Sequence, residues 1–185
     1  MKHCGTKTIE TNRLILRRFV IEDAQSMYTN WASDDEVTKY LTWPTHGNVD
    51  ITKFILEDWI KSYDKDNFYN WAIELKEMGT VIGNISSVGC NDDVGRVHIG
   101  YCIGRKWWNK GIMTEALECV IKFFFEEVGV NRVDSRHDVK NPASGIVMKK
   151  CGMVYEGTLR QFDINNQGVG DTCYYGILKS EWEEK

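Results

Sequence analysis

The segment at residues 104–116, GRKWWNKGIMTEA, has residue types and spacing that suit phosphate binding. Gly104 and Gly111 bracket a cationic stretch that contains Arg105 and Lys110. A glycine before a helix lets backbone N–H groups approach a ligand, and the helix N-terminus adds open donors and partial positive charge, which together bind phosphate oxygens. Because neither G-x-x-x-x-G-K-[ST] nor G-x-G-x-x-G is present, an ordinary strand-to-helix turn stays open as the alternative.

A second segment, VKNPASGIVMKKCGMVYEG at residues 139–157, places polar side chains at the start of a short helix. Pro142 suits the first helical position and Gly152 suits the helix end, so a helix is expected between them. Asn141 and Ser144 then flank its beginning, beside backbone donors that no earlier turn satisfies.

Hydrophobic periodicity predicts the elements that must position these two segments. Alternation with period two predicts strands, and apolar residues at i, i+3, i+4 and i+7 predict helices. Strands are expected at residues 13–19, 69–75, 80–88, 96–103, 130–138, 153–160 and 171–179, and helices from near Asp23 and over about 50–63, 113–129 and 142–151. The middle strands form an antiparallel meander, and the β–α–β order that follows predicts a partly parallel sheet. The expected class is α+β, or mixed α/β.

Composition bounds the function. A length of 185 residues favours one domain over residues 1–185, and a net charge of −4 without a cluster of Lys and Arg argues against a nucleic-acid partner. No apolar run exceeds three residues, which argues against a membrane span or a signal segment. The six cysteines show neither C-x-x-C nor zinc-finger spacing, so we expect reduced thiols in a cytoplasmic protein and no metal.

The ordered segments resemble the GNAT superfamily of acyl-CoA-dependent N-acyltransferases. IGYCIGRKWWNKGIMTEAL is similar to its acetyl-CoA pyrophosphate loop, and NPASGIVMKKCGM to the helix that follows. IETNRLILRRF and YYGILKSEW resemble the first and last strands of the branch that contains the ribosomal-protein N-terminal acetyltransferases RimJ and RimL. The resemblance covers residues 8–183 and implies a twisted, mixed sheet of about seven strands with flanking helices, splayed between strands 96–103 and 130–136.

The resemblance also implies acetyl-CoA as the co-substrate. Its pantetheine arm would pair with the backbone of Tyr101, Cys102 and Ile103, and Asn141 and Ser144 would complete the cofactor contacts. The pyrophosphate would lie on the N–H groups of Asn109, Lys110, Gly111, Ile112, Met113 and Thr114. Trp108 would either cover the cofactor or pack on the core. In the family motif R/Q-x-x-G-x-G/A, Gly111 matches the first glycine, whereas Trp108 and Met113 depart from the pattern.

For catalysis, the resemblance implies direct attack of an amine on the thioester, without a covalent acyl-enzyme. The base is open between His98, which stands where many relatives carry Glu, Glu74 on another strand, and a relay through water. Ser144 is the expected acid, because Met148 stands where many members carry a Tyr that donates the proton. Tyr155 is a further donor candidate.

The expected acceptor is the α-amino group of a peptide or protein, with a ribosomal protein N-terminus as one option. An α-amine has a pKa of about 7.7–8.0 against about 10.4 for lysine, so it needs less help from a base. The acidic run at residues 34–36 would attract a cationic acceptor. The alternatives are a small amine (a polyamine, an amino acid or an aminoglycoside) and a non-catalytic acyl-CoA-binding regulatory module. The oligomeric state is left open.

Overall fold

The computed structural model describes residues 1–184 and contains one eight-stranded sheet in the order β1-β2-β3-β4-β5-β6-β8-β7. The strands are β1 (Ile9–Glu10), β2 (Leu14–Arg17), β3 (Asn70–Leu75), β4 (Thr80–Asn91), β5 (Arg96–Ile103), β6 (Arg132–Asp138), β7 (Val154–Asn165) and β8 (Gly168–Leu178). The only parallel pair among these strands is β5 with β6, as the β–α–β order predicts. The expected class, mixed α/β with a mixed sheet, is confirmed.

Helices cover both faces of this sheet. They are α1 (Ala24–Met27), which continues as a π-helical turn (Tyr28–Ala32), α2 (Asp35–Thr38), α3 (Val49–Ser62), α4 (Ile112–Phe123), which continues as a π-helical turn (Phe124–Val128), α5 (Pro142–Lys150) and α6 (Lys179–Glu183). None of the helices within residues 1–184 combines the length and apolar character needed to cross a bilayer.

Strands β5 and β6 separate part-way along their length. Their parallel pairing covers residues Arg96 to Ile99 on β5 and Arg132 to Ser135 on β6, although β5 continues to Ile103. The Ser135 hydroxyl donates to the Ile99 carbonyl at 2.8 Å, which satisfies that carbonyl where the pairing ends. The expected splay is therefore present, and it opens beside the N-terminus of α4.

The structure differs from the predicted elements mainly at the ends of the chain. It adds the short strand β1 and the short helices α2 and α6, which are too brief to show a periodic pattern. The hairpin of β7 and β8 is also longer than predicted. Most of β7 is exposed, so its sequence carries no apolar alternation that would mark where the strand ends.

Two apolar clusters pack on opposite faces of the sheet. Trp71 and Ile73 of β3 join the larger cluster beneath α4 and α5, whereas Ala72 between them joins the smaller cluster beneath α1 and α3. This alternation follows from the two-residue period of a strand. Apolar side chains thus cover both faces of the central strands. Polar side chains of these strands are available to bind a ligand only near the splay between β5 and β6.

The N-terminus of α4 is anchored to β2 by one carboxylate. Glu115 accepts from the Thr11 hydroxyl at 2.5 Å and from the Arg13 guanidinium at 2.7 Å, and Arg13 also donates to the Lys110 carbonyl at 2.9 Å. Burial opposes ionisation of Glu115, but the hydrogen bonds from Thr11 and Arg13 outweigh it and lower the pKa of this carboxyl. The anchor therefore requires a charged Glu115.

We predict that Glu115→Gln lowers the free energy of unfolding by about 1 kcal/mol at neutral pH. Because the folded-state pKa lies below the unfolded value of about 4.3, the charge stabilises the protein above that value and ceases to do so as the pH falls through the folded pKa. Urea denaturation should show the difference between wild type and variant shrinking as the pH falls below the unfolded value of about 4.3. Glu118→Gln, exposed on the same helix, is the control. A difference that stays constant with pH would contradict the prediction.

Candidate active site

The loop before α4 presents open backbone donors. Asn109 and Gly111 both adopt left-handed backbone conformations, with φ of 59° and 70°, and Gly111 is the N-cap of the helix. The first intrahelical bond runs from the Glu115 N–H to the Gly111 carbonyl, so the N–H groups of residues 112–114 have no intrahelical acceptor. The glycine-capped helix start with open N–H groups that the sequence predicts is present, and its binding of phosphate stays a prediction.

A cavity of about 330 Å³ extends from this loop into the splay between β5 and β6. Every predicted cofactor-binding residue lines it, and Lys150, which was not among the predicted residues, adds a second lysine to the lining that contains Lys110. The predicted residues are Tyr101, Cys102, Ile103, Trp108, Asn109, Lys110, Gly111, Ile112, Met113, Thr114, Asn141 and Ser144. The cavity thus joins a cationic loop to a strand edge.

Only alternate residues of β5 offer backbone groups to this cavity. The Gly104 N–H donates to Ile82 on the β4 side at 2.9 Å, whereas the Ile99 carbonyl faces β6. Alternation along the strand therefore directs the peptide groups of Tyr101 and Ile103 into the splay and those of Cys102 towards β4. The expectation that the Cys102 backbone would also pair with a ligand needs this correction, because β4 occupies that edge.

The two adjacent tryptophans have different surroundings. Trp107 is buried in the larger apolar cluster. Trp108 is 41 % exposed, and its indole N–H donates to the Ile103 carbonyl at 2.8 Å. The carbonyls of Tyr101 and Ile103 both face the splay, and the second of them is therefore already hydrogen-bonded to the indole.

A second cavity of about 260 Å³ lies over the sheet face that carries α1 and α3. Its floor consists of polar strand positions, which include Asn84, Ser86, His98, Arg136 and Asp138. The two cavities share six lining residues, which are Tyr40, Leu41, Tyr101, Cys102, Asn141 and Ser144. They therefore meet at the splay, where a group held in one can reach a group held in the other.

Ser144 lies at this meeting point. The Tyr101 hydroxyl donates to the Ser144 carbonyl at 2.9 Å, and the Asn141 side-chain amide donates to the Ser144 hydroxyl oxygen at 3.1 Å. Helix α5 can approach β6 closely because residue 145 is glycine: a Cβ there would lie 2.5 Å from Nε2 of His137. The Ser144 hydroxyl already accepts one bond, so its own proton is available to another acceptor.

The thiol of Cys102 is also at the meeting point. Burial raises the pKa of this thiol to about 12, against a smaller opposing effect of a backbone hydrogen bond from Asn84. The thiolate is the nucleophilic form of cysteine, and it is scarce at neutral pH under these conditions. This site is therefore unsuited to a covalent cysteine intermediate.

The two base candidates have different surroundings. His98 lines the second cavity, and its Nδ1 is hydrogen-bonded to the buried carboxylate of Asp134. Glu74 lies on β3, which β4 separates from β5, and its carboxylate is paired with Arg17 at 2.6 Å. Glu74 lines neither of these cavities. Asp134 was not among the predicted site residues; its signal in the sequence was a lone acidic residue at the start of β6.

The other residues that the sequence analysis weighed lie elsewhere. Met148 is buried in the larger apolar cluster, and Tyr155 is exposed with its hydroxyl on Thr158. In the acidic run, Asp34 caps α2 and pairs with Arg105 at 3.1 Å, and Asp35 accepts from Thr45. The carboxylates that line the second cavity come instead from Asp138 and Asp163.

Residues 40–43 roof the second cavity. The tip of the β7–β8 hairpin holds this roof, because the Asn166 side-chain amide donates to the carbonyls of Thr38 and Trp43, each at 2.8 Å. The Asn166 N–H donates to the Leu41 carbonyl at 3.2 Å. Asp163 on the same hairpin pairs with Arg136 at 2.8 Å. The β7–β8 hairpin thus forms one wall of the second cavity and holds the roof of residues 40–43 in place.

Comparisons with known proteins agree with this geometry. The uncharacterized N-acetyltransferase YoaA of Bacillus subtilis is 29% identical over 92% of this chain and 96% of its own length. YdaF of the same organism, provisionally named a ribosomal N-acetyltransferase, is 34% identical over 70% of this chain and 69% of its own. The crystal structure of the microcin C7 self-immunity acetyltransferase MccE, in complex with acetyl-CoA and AMP, superposes with a TM-score of 0.80 at 22% identity, over 91% of this chain and 93% of that one.

The family model of the acetyltransferase (GNAT) domain matches residues 13–154, which include β2, the loop before α4 and all of α5. The glycine-capped loop, the splay and the polar start of α5 all lie inside this match. The enzyme class expected from the sequence is confirmed with it. This chain belongs to the GNAT family of acetyltransferases.

Proposed function

We propose that this enzyme transfers an acetyl group from acetyl-CoA to a primary amine by direct attack. The observation that carries the proposal is the meeting of the two cavities at Tyr101, Cys102, Asn141 and Ser144. One cavity begins at open backbone donors and lysines, which suit a diphosphate. The other is floored by polar and titratable groups, which suit an amine. The thioester and the amine would meet at the shared residues.

The residues of the first cavity fit acetyl-CoA. The N–H groups of residues 112–114 and the side chains of Lys110 and Lys150 would hold the diphosphate. The N–H and carbonyl of Tyr101 and the N–H of Ile103 would pair with the pantetheine arm, since the Ile103 carbonyl already accepts from Trp108. The acetyl-CoA complex of MccE, which has the same fold, supports this assignment.

We predict that Gly111→Glu abolishes binding of acetyl-CoA, whereas Gly111→Ala retains it. Both variants carry a side chain at a φ of 70° and share the resulting strain, but only glutamate brings negative charge to the diphosphate position. In wild type, a ligand at 100 times its dissociation constant should raise the unfolding free energy by about 2.7 kcal/mol, which a thermal shift would detect. Equal binding by the two variants, or no shift in wild type, would refute the placement.

Each chemical role has a candidate group at the meeting point. A backbone N–H of Tyr101 or Ile103 would stabilise negative charge on the thioester oxygen. Ser144 would donate its proton to the leaving thiolate, since Asn141 already donates to its oxygen. His98 would accept the proton of the attacking amine, because it lines the second cavity while Glu74 is held by Arg17. Proton loss through water is the alternative to His98.

We predict that Ser144→Ala lowers kcat by about 10²- to 10⁴-fold and leaves the KM for acetyl-CoA within about twofold. A proton donor to the thiolate acts only in the transition state, so its removal should spare ground-state binding. Steady-state kinetics with varied acetyl-CoA would separate the two effects. Ser144→Thr keeps the hydroxyl and serves as the matched variant. Unchanged kcat with a raised KM would reassign Ser144 to binding.

We propose an α-amino group of a peptide or protein as the acceptor. The lining of the second cavity includes the carboxylates of Asp138 and Asp163 against the single guanidinium of Arg136, which favours a cationic amine near neutral pH. The provisional name of YdaF points to ribosomal acceptors and supports the same class. The roofed shape and volume of about 260 Å³ favour the second candidate, a small free amine such as a polyamine, an amino acid or an aminoglycoside.

A thiol-release screen with acetyl-CoA tests the function, and mass spectrometry of the products tests the acceptor. We expect turnover with peptides that carry a free N-terminus, including ribosomal N-terminal peptides, and acetylation at the α-amine. Products confined to polyamines, aminoglycosides or lysine side chains would overturn the acceptor class. Binding of acetyl-CoA without turnover of any amine would leave a non-catalytic acyl-CoA-binding module and overturn the enzymatic proposal for this chain.

The organisation and location of the chain belong to the same proposal. One sheet includes strands from both ends of the chain, which supports a single domain over residues 1–185. The cysteine spacing, which lacks disulfide and zinc patterns, supports a cytoplasmic location.

A further inference from the structure

A cluster of charged side chains lies where β5 and β6 are still paired, beside the second cavity. At its centre is Asp134, which is 1 % exposed. Its carboxylate accepts from Nδ1 of His98, from Arg96 through two nitrogens, and from Nε of Arg132 at 3.1 Å. A buried carboxylate is tolerated only when paired and hydrogen-bonded, and Asp134 satisfies both conditions.

Two arginines keep this carboxylate ionised. Arg132 is itself held by Glu156, with 2.6 Å between Nη1 and Oε1, so its position relative to Asp134 is determined from two sides. Burial raises the pKa of Asp134, but the hydrogen bonds from His98 and Arg96 outweigh burial and hold that pKa well below its usual range. Asp134 therefore accepts hydrogen bonds and does not compete for a proton.

The remaining neighbours of His98 leave its second ring nitrogen open. On β8, the Tyr174 ring lies 6.3 Å from the imidazole between ring centroids, and the Tyr174 hydroxyl is occupied by Arg136. Within residues 1–184, the only side-chain nitrogen or oxygen that is both buried and unpartnered is Nε2 of His137. Nε2 of His98 also has no hydrogen bond to the described residues, but it is not among these buried atoms. It is therefore accessible, and it opens to the cavity that His98 lines.

We propose, as an extension of the function proposed above, that Asp134 is a positioning residue for His98. By accepting from Nδ1–H, the carboxylate selects the tautomer in which Nε2 carries the lone pair, aimed at the amine. Nε2 takes the proton of the amine as the nitrogen–carbon bond forms. The carbon–sulfur bond then breaks, and the leaving thiolate takes the proton of the Ser144 hydroxyl. Asp134 stabilises the imidazolium without receiving the proton; His98 gives its proton to solvent, and Ser144 regains one from solvent.

The test compares Asp134→Asn with Glu156→Gln. Both substitutions neutralise a carboxylate of the same cluster, but only Asp134 contacts His98. An asparagine can donate its amide to Nδ1 or accept from Nδ1–H through its oxygen, so it no longer selects one tautomer. We expect Asp134→Asn to lower kcat by about 10²- to 10⁴-fold with the KM for acetyl-CoA within about twofold, and Glu156→Gln to stay within about threefold of wild type.

Ring-nitrogen NMR supplies a readout that activity does not affect. In wild-type protein, the spectrum of the neutral His98 ring should report a proton on Nδ1 and none on Nε2. In Asp134→Asn the two tautomers should mix. A wild-type ring with its proton on Nε2, identical spectra in the two proteins, or wild-type kcat in Asp134→Asn would overturn the proposal.

Two outcomes need separate treatment. If no amine is acetylated by wild type, the proposed function fails, and the NMR measurement still decides whether Asp134 selects the tautomer. If Asp134→Asn does not fold, the wild-type spectrum and the kcat of His98→Ala decide instead: full activity of His98→Ala would overturn the proposal, and a loss of about 10²-fold or more would support it.

Discussion

The parallel pairing of β5 with β6 ends after Ile99 and Ser135 although both strands continue, and the site depends on this interruption. An unpaired strand edge leaves buried N–H and carbonyl groups that cost about 1–3 kcal/mol each if nothing satisfies them. Here the Ser135 hydroxyl satisfies the last paired carbonyl and the Trp108 indole satisfies the Ile103 carbonyl. The remaining peptide groups at the gap are available to a ligand, so the same interruption that weakens the sheet creates the binding edge.

Features that depend on local sequence could be predicted, and features that depend on register could not. The glycine-capped loop, the meander of β3 to β5 and the start of α5 follow from neighbouring residues, and the structure has them all. The contact of His98 with Asp134 joins positions 36 residues apart and requires the exact β5–β6 register. The pairing of Glu74 with Arg17 likewise joins positions 57 residues apart, so the sequence could not exclude Glu74 from the site.

The two cavities are built differently. The loop end of the first cavity rests on backbone geometry, which consists of left-handed residues, an open helix N-terminus and the Glu115 anchor. The second cavity consists of side chains from five strands and a roof. Substitution could therefore change the second cavity extensively while the loop stays the same. This difference explains why the loop is recognisable in the sequence and the second cavity is not.

The attachment of the roof by Asn166 also bears on the order in which the molecule is assembled. This residue lies 128 positions after Thr38 and 123 after Trp43, whose carbonyls it binds. Strand β8, which pairs with β6, is made later still. During synthesis the chain emerges from its N-terminus, so the residues of α1 to α5 and of the loop before α4 are made before those of the final hairpin. The second cavity therefore cannot close until the last strands are made, because a nascent chain without the hairpin lacks one wall of this cavity and the attachment of its roof.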